Sequence, residues 1–377
     1  MALYDPAPTA PAGLRIVDLF CGSGGFSRGA HAAGFGVAAA YDRDPILTSA
    51  FERNFPSTPL HLRNVAWLSG ERIKRDAGRV DGIIGGPPCQ GFSEIGKRLP
   101  SDPRRSLLRH FFRIVSEVSP DFFVMENVRG LGFADARPSL DAAIDLVRSD
   151  YHILGPVVWD AASFGAATAR PRLFVIGTAK RLERALTREH VEALFRPAAT
   201  VRDAIEDLEL ARSTGEIGGF DSWRITRPWR PSRYAAALRR GGAFTGHKST
   251  EHGEEVTKRF SALAQGTLDP VGRHKRLHWD GQCPTLRAGT GVEKGSFQSV
   301  RPVHPDYPRV ITVREAARLQ GFPDDHLFHP TVWHSFRMIG NSVSPIIGAA
   351  VLSAIRSRVY ADPPTEDAAA ISRPKAR

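Results

Sequence analysis

The stretch Leu14-Arg15-Ile16-Val17-Asp18-Leu19-Phe20-Cys21-Gly22-Ser23-Gly24-Gly25 decides the fold of this chain. The residues up to Phe20 are typical of a buried strand, and after the glycines a helix pattern runs from Phe26 to Ala33. A glycine-rich turn between a strand and a helix lets a ligand approach the backbone and the helix N-terminus. The turn lacks the spacing of a dinucleotide-binding or phosphate-binding loop, which favours a nucleoside ligand without a pyrophosphate. A turn that only packs the helix on the strand is the alternative.

Strand and helix patterns alternate through the first half of the chain. Further strands are predicted at 37–41, 80–84, 122–125, 157–158 and 173–177, and helices at 46–55, 107–118 and 139–148. This alternation predicts an α/β fold with a doubly wound, mostly parallel sheet. The stretch 183–309 lacks the alternation and is rich in Gly, Pro, Arg and Trp, so it predicts a smaller irregular domain. Helix patterns return at 313–319 and 344–359.

Composition narrows the class of protein. The 377 residues include 51 Lys+Arg against 40 Asp+Glu, a formal net charge of +11. That excess favours a polyanionic partner such as nucleic acid, although a basic protein that merely stays soluble would share it. Three cysteines without a Cys/His cluster predict neither a disulfide framework nor a metal site. The chain has no run of eighteen apolar residues and no signal peptide, so we expect no membrane span.

Three more stretches carry chemistry, and each follows or enters a predicted strand. The first is Gly85-Gly86-Pro87-Pro88-Cys89-Gln90-Gly91-Phe92-Ser93. Its Cys89 thiolate would lie just past the carboxyl end of a strand, where open α/β sheets bind ligands. Glu126, after the next strand, can hydrogen-bond or protonate the edge of a heterocycle. Arg170 and Arg172 suit a base oxygen and a phosphate. The alternatives are a buried structural cysteine, a solvated or capping acid, and a solvated basic pair.

In this order, the four stretches resemble the ordered motifs of the cytosine-5 DNA methyltransferase family. Thr312-Val313-Arg314-Glu315-Ala316-Ala317-Arg318-Leu319-Gln320-Gly321-Phe322-Pro323-Asp324 is similar to its ninth motif, and Ile339-Gly340-Asn341-Ser342-Val343 to its tenth. The resemblance covers 15–177 and 310–359. It implies a Rossmann-like fold of the class I S-adenosylmethionine-dependent methyltransferases. The implied catalytic domain is discontinuous, 13–180 plus 336–360, with a target-recognition domain and hinge at 181–335, a flexible tail at 1–12 and a disordered tail at 361–377.

The resemblance implies methyl transfer from S-adenosylmethionine to C5 of a flipped-out cytosine in a short duplex DNA sequence, with S-adenosylhomocysteine as product and no metal. Cys89 would add to C6 of the base. Glu126 would bind N3 and the exocyclic amine. Arg172 would hold O2, and Arg170 would support a phosphate or the cysteine.

The family's cofactor contacts carry over to a set of loop and strand-end residues. They are Phe20, Gly22, Ser23, Gly24, Gly25, Asp42, Arg43, Asn64, Val65, Pro88, Asn341, Ser342 and Val343. Phe20 would lie near the adenine, and Asp42 would bind the ribose hydroxyls. Three residues depart from the family pattern. Thr168 replaces a glutamine at the start of the eighth motif, Asn64 replaces an acid at the adenine amine, and Arg43 replaces a large apolar residue.

DNA contacts are expected from two parts of the chain. The resemblance makes 90–109 a mobile loop that closes over the base, with Gln90, Ser93, Lys97, Arg98, Arg104 and Arg105 as its DNA-facing residues. In the recognition domain, Arg227, Arg230 and Arg233 recur every third residue among aromatics, which suits phosphate and base-edge contacts. The stretch Pro284-Thr285-Leu286-Arg287 resembles the family's Thr-Leu pair with its neighbours, which makes Thr285, Leu286 and Arg287 candidates for DNA contact. A second basic stretch is His274-Lys275-Arg276. Basic surface loops whose tryptophans pack the small domain are the alternative.

Two other functions remain open. A related family methylates cytosine in tRNA, but its Cys-Phe-Thr signature is absent, since the recognition region has only Gln282-Cys283-Pro284. A DNA-binding relic without activity is the second, against which the intact Cys89, Glu126, Arg170 and Arg172 argue. We expect double-stranded DNA as the partner and a monomer as the oligomeric state. We expect the protein in the bacterial cytoplasm, associated with the nucleoid while it is bound to DNA. A cognate restriction endonuclease is an open partner.

Overall fold

A seven-stranded sheet forms the centre of the protein. The computed structural model describes residues 13–88, 105–226, 230–289 and 301–360. The sheet strands are β1 (Arg15–Leu19), β2 (Gly36–Asp42), β3 (Leu60–Leu62), β4 (Gly82–Gly85), β5 (Phe122–Val128), β6 (Tyr151–Asp160) and β8 (Pro171–Ala179), and β7 (Thr168–Ala169) lies outside it. Their spatial order is β3-β2-β1-β4-β5-β8-β6.

The first five strands are parallel, and β8 runs antiparallel to both β5 and β6. The strand order reverses between β1 and β4, so the loops after these two strands face one crevice at the carboxyl edge. The glycine-rich stretch follows β1, and the Gly-Pro-Pro stretch follows β4. The fold therefore brings the two candidate loops side by side.

Helices cover both faces of the sheet. They are α1 (Gly25–Ala32), α2 (Phe51–Asn54), α3 (Gly70–Ala77), α4 (Arg105–Val118), α5 (Arg137–Ile144) and, from the end of the chain, α10 (Val313–Leu319), α11 (Val332–Asn341) and α12 (Pro345–Tyr360). Adjacent residues of β1 point to different cores, since Ile16 packs with the α1 and α12 side and Val17 with the α3 and α4 side. This is the alternation expected of a strand buried on both faces.

The C-terminal helix α12 packs on α1, as the tenth-motif resemblance requires. A Cβ on Gly29 would lie 2.8 Å from the nitrogen of Ala349 and 2.9 Å from the oxygen of Pro345, so only a glycine permits this backbone approach. The segment Val332–Tyr360 is long enough to cross a membrane and contains an 18-residue window with a mean hydropathy of 1.6, but 72% of that window is buried inside the protein. Its apolar surface is therefore explained by core packing.

The stretch 183–309, where a target-recognition domain is expected, holds short elements and is called the recognition segment below. They are α6 (Arg188–Glu192), α7 (Val201–Ile205), the hairpin of β9 (Ala211–Ile217) and β10 (Phe220–Ile225), α8 (Arg233–Leu238), α9 (Glu254–Ser261) and β11 (Cys283–Pro284). β11 pairs with β7, which joins this segment to the eighth motif. Ile205, Leu238 and Leu286 belong to the same core as α1 and α12, so the segment packs directly onto the catalytic half.

Several expected boundaries differ from the observed ones. The expected domain boundary after residue 335 falls inside α11, which begins after Thr331. Of the helix expected at 46–55, only α2 forms. The strand expected to end at residue 125 continues to Val128, which puts Glu126 within β5. The strand expected at 157–158 extends over all of β6. The remaining domain limits stay predictions.

Candidate active site

The glycine-rich loop turns sharply after β1. Phe20, Gly22 and Gly24 all have positive φ, at 63°, 49° and 82°. For Phe20 this conformation is uncommon and strained, which is typical of functional sites. A Cβ on Gly22 would meet no described atom within 4 Å, whereas a Cβ on Gly24 would lie 2.2 Å from Phe55 and one on Gly25 2.0 Å from Ser342 Oγ. Only Gly22 therefore faces open space, and the other two glycines allow close packing.

Asp42 ends β2 next to this loop. Its Oδ2 accepts a hydrogen bond of 2.9 Å from Gly22 N, and its Oδ1 one of 2.9 Å from Asp44 N. Each carboxylate oxygen keeps a second lone pair, which suits a pair of ribose hydroxyls. Burial raises the pKa of Asp42. The Gly22 and Asp42 contact fixes the loop against β2.

Asn64 and Val65, which are expected to lie at the adenine edge of the cofactor, belong to a short turn after β3. Asn64 Oδ1 accepts a hydrogen bond of 3.0 Å from Ala66 N and caps the short 3-10 turn Val65–Trp67. The oxygen expected to accept from an adenine amine is therefore already in use, with one lone pair left. Val65 is buried, and Arg43 is exposed.

The tenth motif packs against the glycine-rich loop. Ser342 and Val343 are buried directly after α11, and Asn341, the last residue of that helix, is exposed. Ser23 is buried, and its Oγ donates to Met338 O at 3.4 Å. The fold thus brings the first and tenth motifs together, although more than 300 residues separate them in sequence.

Asp18 is a buried carboxyl group behind the loop that the sequence reasoning did not single out. It is 1% exposed and accepts a hydrogen bond of 2.6 Å from Ser27 Oγ. Burial raises its pKa to about 7, and the nearby Asp42 charge adds to this effect. The sequence signal for it was the position of an acid inside an otherwise apolar strand.

The raised pKa of Asp18 makes stability depend on pH. Because its pKa is about 7 in the folded chain and 3.8 in the unfolded chain, the carboxyl group binds a proton on folding. Its contribution to stability is present below pH 4 and is lost as the pH rises to 7, at about 1 kcal/mol per pH unit. Urea denaturation at pH 5, 6, 7 and 8 should show the free energy of unfolding of the wild type falling relative to that of Asp18→Asn up to pH 7 and then levelling. A difference that does not vary with pH would contradict this assignment, and Asp145→Asn serves as the exposed control.

Residues of several motifs meet beside the Gly-Pro-Pro loop, and this cluster is called the Glu126 pocket below. A Cβ on Gly86 would lie 3.2 Å from Glu126 Oε2 and 4.0 Å from Val343 Cγ2. Asn127 Nδ2 donates to Pro87 O at 3.1 Å and fixes the loop. Pro88 is half-buried at the same place. The Gly-Pro-Pro stretch, Glu126 and the tenth motif therefore meet here, and Asn127 is a positioning residue that sequence reasoning missed.

Glu126 and Arg172 form an ion pair in this pocket. Arg172 Nε lies 3.0 Å from Glu126 Oε1, and their side chains are 12% and 9% exposed. Glu126 pairs with Phe174 across β5 and β8, so Arg172 is its diagonal neighbour on the same face of the sheet. Burial raises the pKa of Glu126, and the charges of Arg172 and Arg170 oppose the shift. A carboxyl group in this state can hold or donate a proton.

Arg170 is not at the pocket surface. It is 1% exposed, and its guanidinium donates to the carbonyls of Leu286 at 3.1 Å, Gly340 at 2.8 Å and Ser342 at 2.7 Å. The expectation that Arg170 contacts a phosphate is therefore wrong, because the buried guanidinium is occupied by backbone carbonyls. Arg170 is a positioning residue that joins the eighth motif, the tenth motif and the recognition segment. Its expected support of Cys89 stays a prediction.

Loss of the Arg170 guanidinium should destabilise the protein. Arg170→Met would leave three buried carbonyls without their donor, and we expect a loss of roughly 3 kcal/mol in the free energy of unfolding. Urea denaturation measures this loss as a lower midpoint at unchanged slope. Arg287→Met, at an exposed position, should change stability by less than about 0.5 kcal/mol. Equal midpoints for Arg170→Met and wild type would contradict the role of the three contacts.

Several expected residues lie outside the described part of the chain. They are Cys89, Gln90, Ser93, Lys97, Arg98, Arg104 and Arg227. Arg105 begins α4, so the loop expected at 90–109 ends by residue 104. The side chain of Arg105 is likewise not described.

The two residues of the Thr-Leu pair differ in burial. Thr285 is partly exposed and its Oγ1 donates to Ala169 O at 2.8 Å, whereas Leu286 is 3% exposed. The expected DNA contact of Leu286 is therefore wrong, because its side chain is buried, and that of Thr285 stays a prediction. Arg287 is exposed next to them. Thr168, which replaces the family glutamine, donates to Cys283 O at 3.1 Å and supports the junction of the recognition segment with the eighth motif.

The basic stretches divide into surface and core residues. Arg230 and Arg233 are exposed and stay candidates for DNA contact. Arg276 is 6% exposed and donates to the carbonyls of Phe260 and Pro305, so it stabilises the recognition segment from inside. The expectation of a DNA contact at Arg276 is wrong for that reason.

Comparison with known proteins decides the family. The profile of the C-5 cytosine-specific DNA methylases matches residues 14–357. This chain belongs to the C-5 cytosine-specific DNA methylase family. The methylase is 40% identical to the Type II methyltransferase M.XorII of Xanthomonas oryzae pv. oryzae, over 93% of this chain and 86% of that protein. It is 30% identical to the Type II methyltransferase M.DdeI of Desulfomicrobium norvegicum, over 91% of this chain and 88% of that protein.

Solved structures agree with the fold of the methylase. A prophage-encoded E. coli protein assigned as a DNA modification methyltransferase has 37% identity and a TM-score of 0.78, covering 92% of this chain and 99% of that one. Dnmt2 of Spodoptera frugiperda, with 17% identity and a TM-score of 0.58, covers 93% of this chain and 100% of that one and shares the fold. The expected family, fold class and enzyme class, a DNA cytosine-5 methyltransferase, are confirmed.

Proposed function

We propose that this methylase transfers a methyl group from S-adenosylmethionine to C5 of a cytosine flipped out of duplex DNA, through a covalent bond between Cys89 and C6. The observation that carries the proposal is the largely buried ion pair of Glu126 with Arg172, in which Glu126 lies beside Gly86. A buried carboxyl group with a raised pKa at the carboxyl edge of the sheet suits the N3 and exocyclic amine of cytosine.

Cys89, Glu126 and Arg172 divide the chemistry between them. C5 of cytosine is a poor nucleophile, and addition of the Cys89 thiolate to C6 breaks the C5–C6 double bond and shifts electron density to C5. Glu126 protonates N3 as negative charge develops there, and Arg172 orients Glu126 and donates to O2. S-adenosylmethionine supplies the electrophilic methyl group. Loss of the C5 proton to solvent restores the double bond and expels the Cys89 thiolate, and N3 returns its proton to Glu126.

The residues around the glycine-rich loop fit this cofactor. Gly22 faces open space, Asp42 keeps lone pairs for two ribose hydroxyls, and Phe20 holds the strained turn between them. The loop has no pattern for binding a pyrophosphate, which agrees with a nucleoside that lacks one. A Cβ on Gly25 would lie 2.3 Å from Val343 O, and a Cβ on Gly86 would lie 4.0 Å from Val343 Cγ2. Val343 therefore lies close to both the glycine-rich loop and Gly86, which places the proposed cofactor and base sites side by side.

Charge and the curated relatives support a DNA substrate. The net charge of +11 and the exposed Arg230, Arg233 and Arg287 favour binding to phosphates. The relatives M.XorII and M.DdeI are Type II methyltransferases. We infer a monomeric bacterial enzyme of the cytoplasm that protects DNA in a restriction–modification system.

Bisulfite sequencing tests this proposal at single-base resolution. Plasmid DNA from a host without methylation, expressing the full chain, should show protected cytosines within one short sequence. Cys89→Ala should show none, and Cys283→Ala, which changes another cysteine, should keep protection. Absence of protection with the folded wild-type protein would overturn DNA as the substrate.

A further inference from the structure

Arg301 is a partly buried arginine of the recognition segment that has no part in the chemistry described above. Its guanidinium lies over the ring of Phe336, with 4.7 Å between the guanidinium carbon and the ring centroid. Phe336 is 2% exposed and belongs to α11 in the catalytic half. Arg301 therefore reaches from one half of the chain to the other, and a cation–π contact holds its side chain there.

The guanidinium of Arg301 has no carboxylate partner among the described residues. Its one hydrogen-bond contact there is Thr250 Oγ1, which lies 3.5 Å from Nη1, a long distance for such a bond. Glu254, an acid close in sequence to Thr250, is paired with Lys258 instead. Burial lowers the pKa of Arg301, and no nearby acid opposes the shift. Most of the five N–H donors of this cation therefore lack an acceptor in the described part of the chain.

The surroundings of Arg301 are basic. Burial lowers the pKa of His252, and the charges of His274, Arg301 and Arg309 add to this effect. His274 Nδ1 lies 2.7 Å from the backbone oxygen of Arg301, where it can only donate. A partly buried cation without a counter-ion costs free energy in the protein alone. Its position therefore suits an anion that a ligand supplies.

Arg301 lies on the side of α11 where the two halves of the chain meet. Gly340 comes four residues after Phe336, so both lie on one face of the helix, about 6 Å apart along its axis. A Cβ on Gly340 would lie 2.6 Å from the carbonyl carbon of Arg287, and Gly340 O accepts a hydrogen bond of 2.8 Å from Arg170. Arg301 and the exposed Arg287 are therefore two cations of the recognition segment on the same face of α11.

We propose that Arg301 binds a phosphate of the duplex DNA backbone, with the Thr250 hydroxyl beside it, and so anchors the DNA where the recognition segment meets α11. The inference rests on the proposed function, since it takes duplex DNA as the substrate. A guanidinium that lies over an aromatic ring can still direct its N–H donors to the oxygens of a phosphate. Backbone contacts of this kind fix the position of a protein on DNA without reading the bases. The contact therefore contributes affinity but no sequence preference.

The salt dependence of DNA binding by the full chain tests this contact. Arg301→Met should weaken binding roughly tenfold, equally for the duplex that is methylated and for an unrelated duplex. The slope of log K against log salt concentration should become less steep by about 0.9, the value for one phosphate contact. Arg301→Lys keeps a cation and should restore the slope. In Arg301→Met the KM for DNA should rise, while kcat and the Kd for S-adenosylmethionine stay within about threefold of wild type.

Arg148→Met is the matched control, because it also removes one positive charge. Arg148 is exposed, pairs with Asp145 at 2.8 Å and comes just before β6, at the amino edge of the sheet. The base site is proposed at the opposite edge, so the slope and Kd of Arg148→Met should equal those of the wild type. Arg301→Met should also keep the urea midpoint, since methionine still packs on Phe336 and no ion pair is broken.

An unchanged Kd and slope in Arg301→Met, when the wild type binds and methylates duplex DNA, would overturn the inference and leave the proposed function intact. An equal change in Arg148→Met would do the same. A wild type that neither binds nor methylates duplex DNA would instead overturn the proposed function.

If Arg301→Met does not fold, chemical modification of wild-type arginines with phenylglyoxal decides. Mass spectrometry should find Arg301 modified in the free protein and protected when the duplex is bound. Modification that is absent in the free protein, or that DNA does not reduce, would refute the contact.

Discussion

Cys89→Ala is expected to abolish methyl transfer, with a loss of roughly 10⁴-fold or more, because no other group of the proposed site can add to C6. Alanine removes only the sulfur, so the basic surfaces and the Glu126 pocket should still bind DNA. Transfer of a labelled methyl group to duplex DNA measures turnover, and a gel-shift titration measures binding.

The other cysteines provide the matched control for this prediction. Cys21 and Cys283 are buried and free, and burial raises the pKa of both thiols. Thiols of this kind are inert, so Cys283→Ala should retain most of the wild-type rate. Methyl transfer by Cys89→Ala above about one-hundredth of the wild-type rate would remove the covalent mechanism.

Glu126→Gln is expected to lower kcat by roughly 10²-fold to 10³-fold. Glutamine fits the same space beside Gly86 but cannot protonate N3 as charge develops on the ring. Because burial raises the pKa of Glu126, its protonated form is available at a higher pH than for an exposed glutamate. Wild-type activity should therefore fall on the alkaline side as this group loses its proton, and the variant should lack that limb.

The pH–rate profiles of both proteins at saturating DNA and cofactor check this prediction. Glu71→Gln is the control, since Glu71 is an exposed residue in the first turn of α3. It should match the wild type in rate and in pH profile. A Glu126→Gln rate within threefold of wild type would mean that N3 is protonated by another group.

The sheet and its loops could be predicted because local patterns decide them. The apolar run of β1, the glycines after it and the acid that ends β2 each lie within a few residues of one another. Parallel strands then bring their carboxyl ends to one edge, so Gly86, Glu126 and Asp42 fall at the same side of the sheet. Short or highly charged elements could not be predicted in this way, because their apolar pattern is too weak. β3 has three residues, and α3 carries mostly charged side chains around a single large apolar residue, Ile73.

The roles of buried polar residues could not be predicted, because their partners are distant in sequence. Arg170 donates to carbonyls 116 to 172 residues away, and His326 meets Asn54 across 272 residues. The sequence places Arg170 in a basic motif but does not show that its guanidinium is buried in the folded protein. Leu286 was expected at the DNA for the same reason, although it packs in the core beside the eighth motif.

The most direct test of the proposed mechanism is to trap the bond between the protein and the base. A duplex with 5-fluorocytosine at the cytosine found by bisulfite sequencing should accept the methyl group and then stop, because C5 has no proton to lose and the sulfur cannot leave. Mass spectrometry of the digested complex should find DNA joined to the peptide that contains Cys89, and only when S-adenosylmethionine is present. A cross-link at Cys21 or Cys283, or no cross-link with an enzyme that methylates ordinary DNA, would contradict the mechanism.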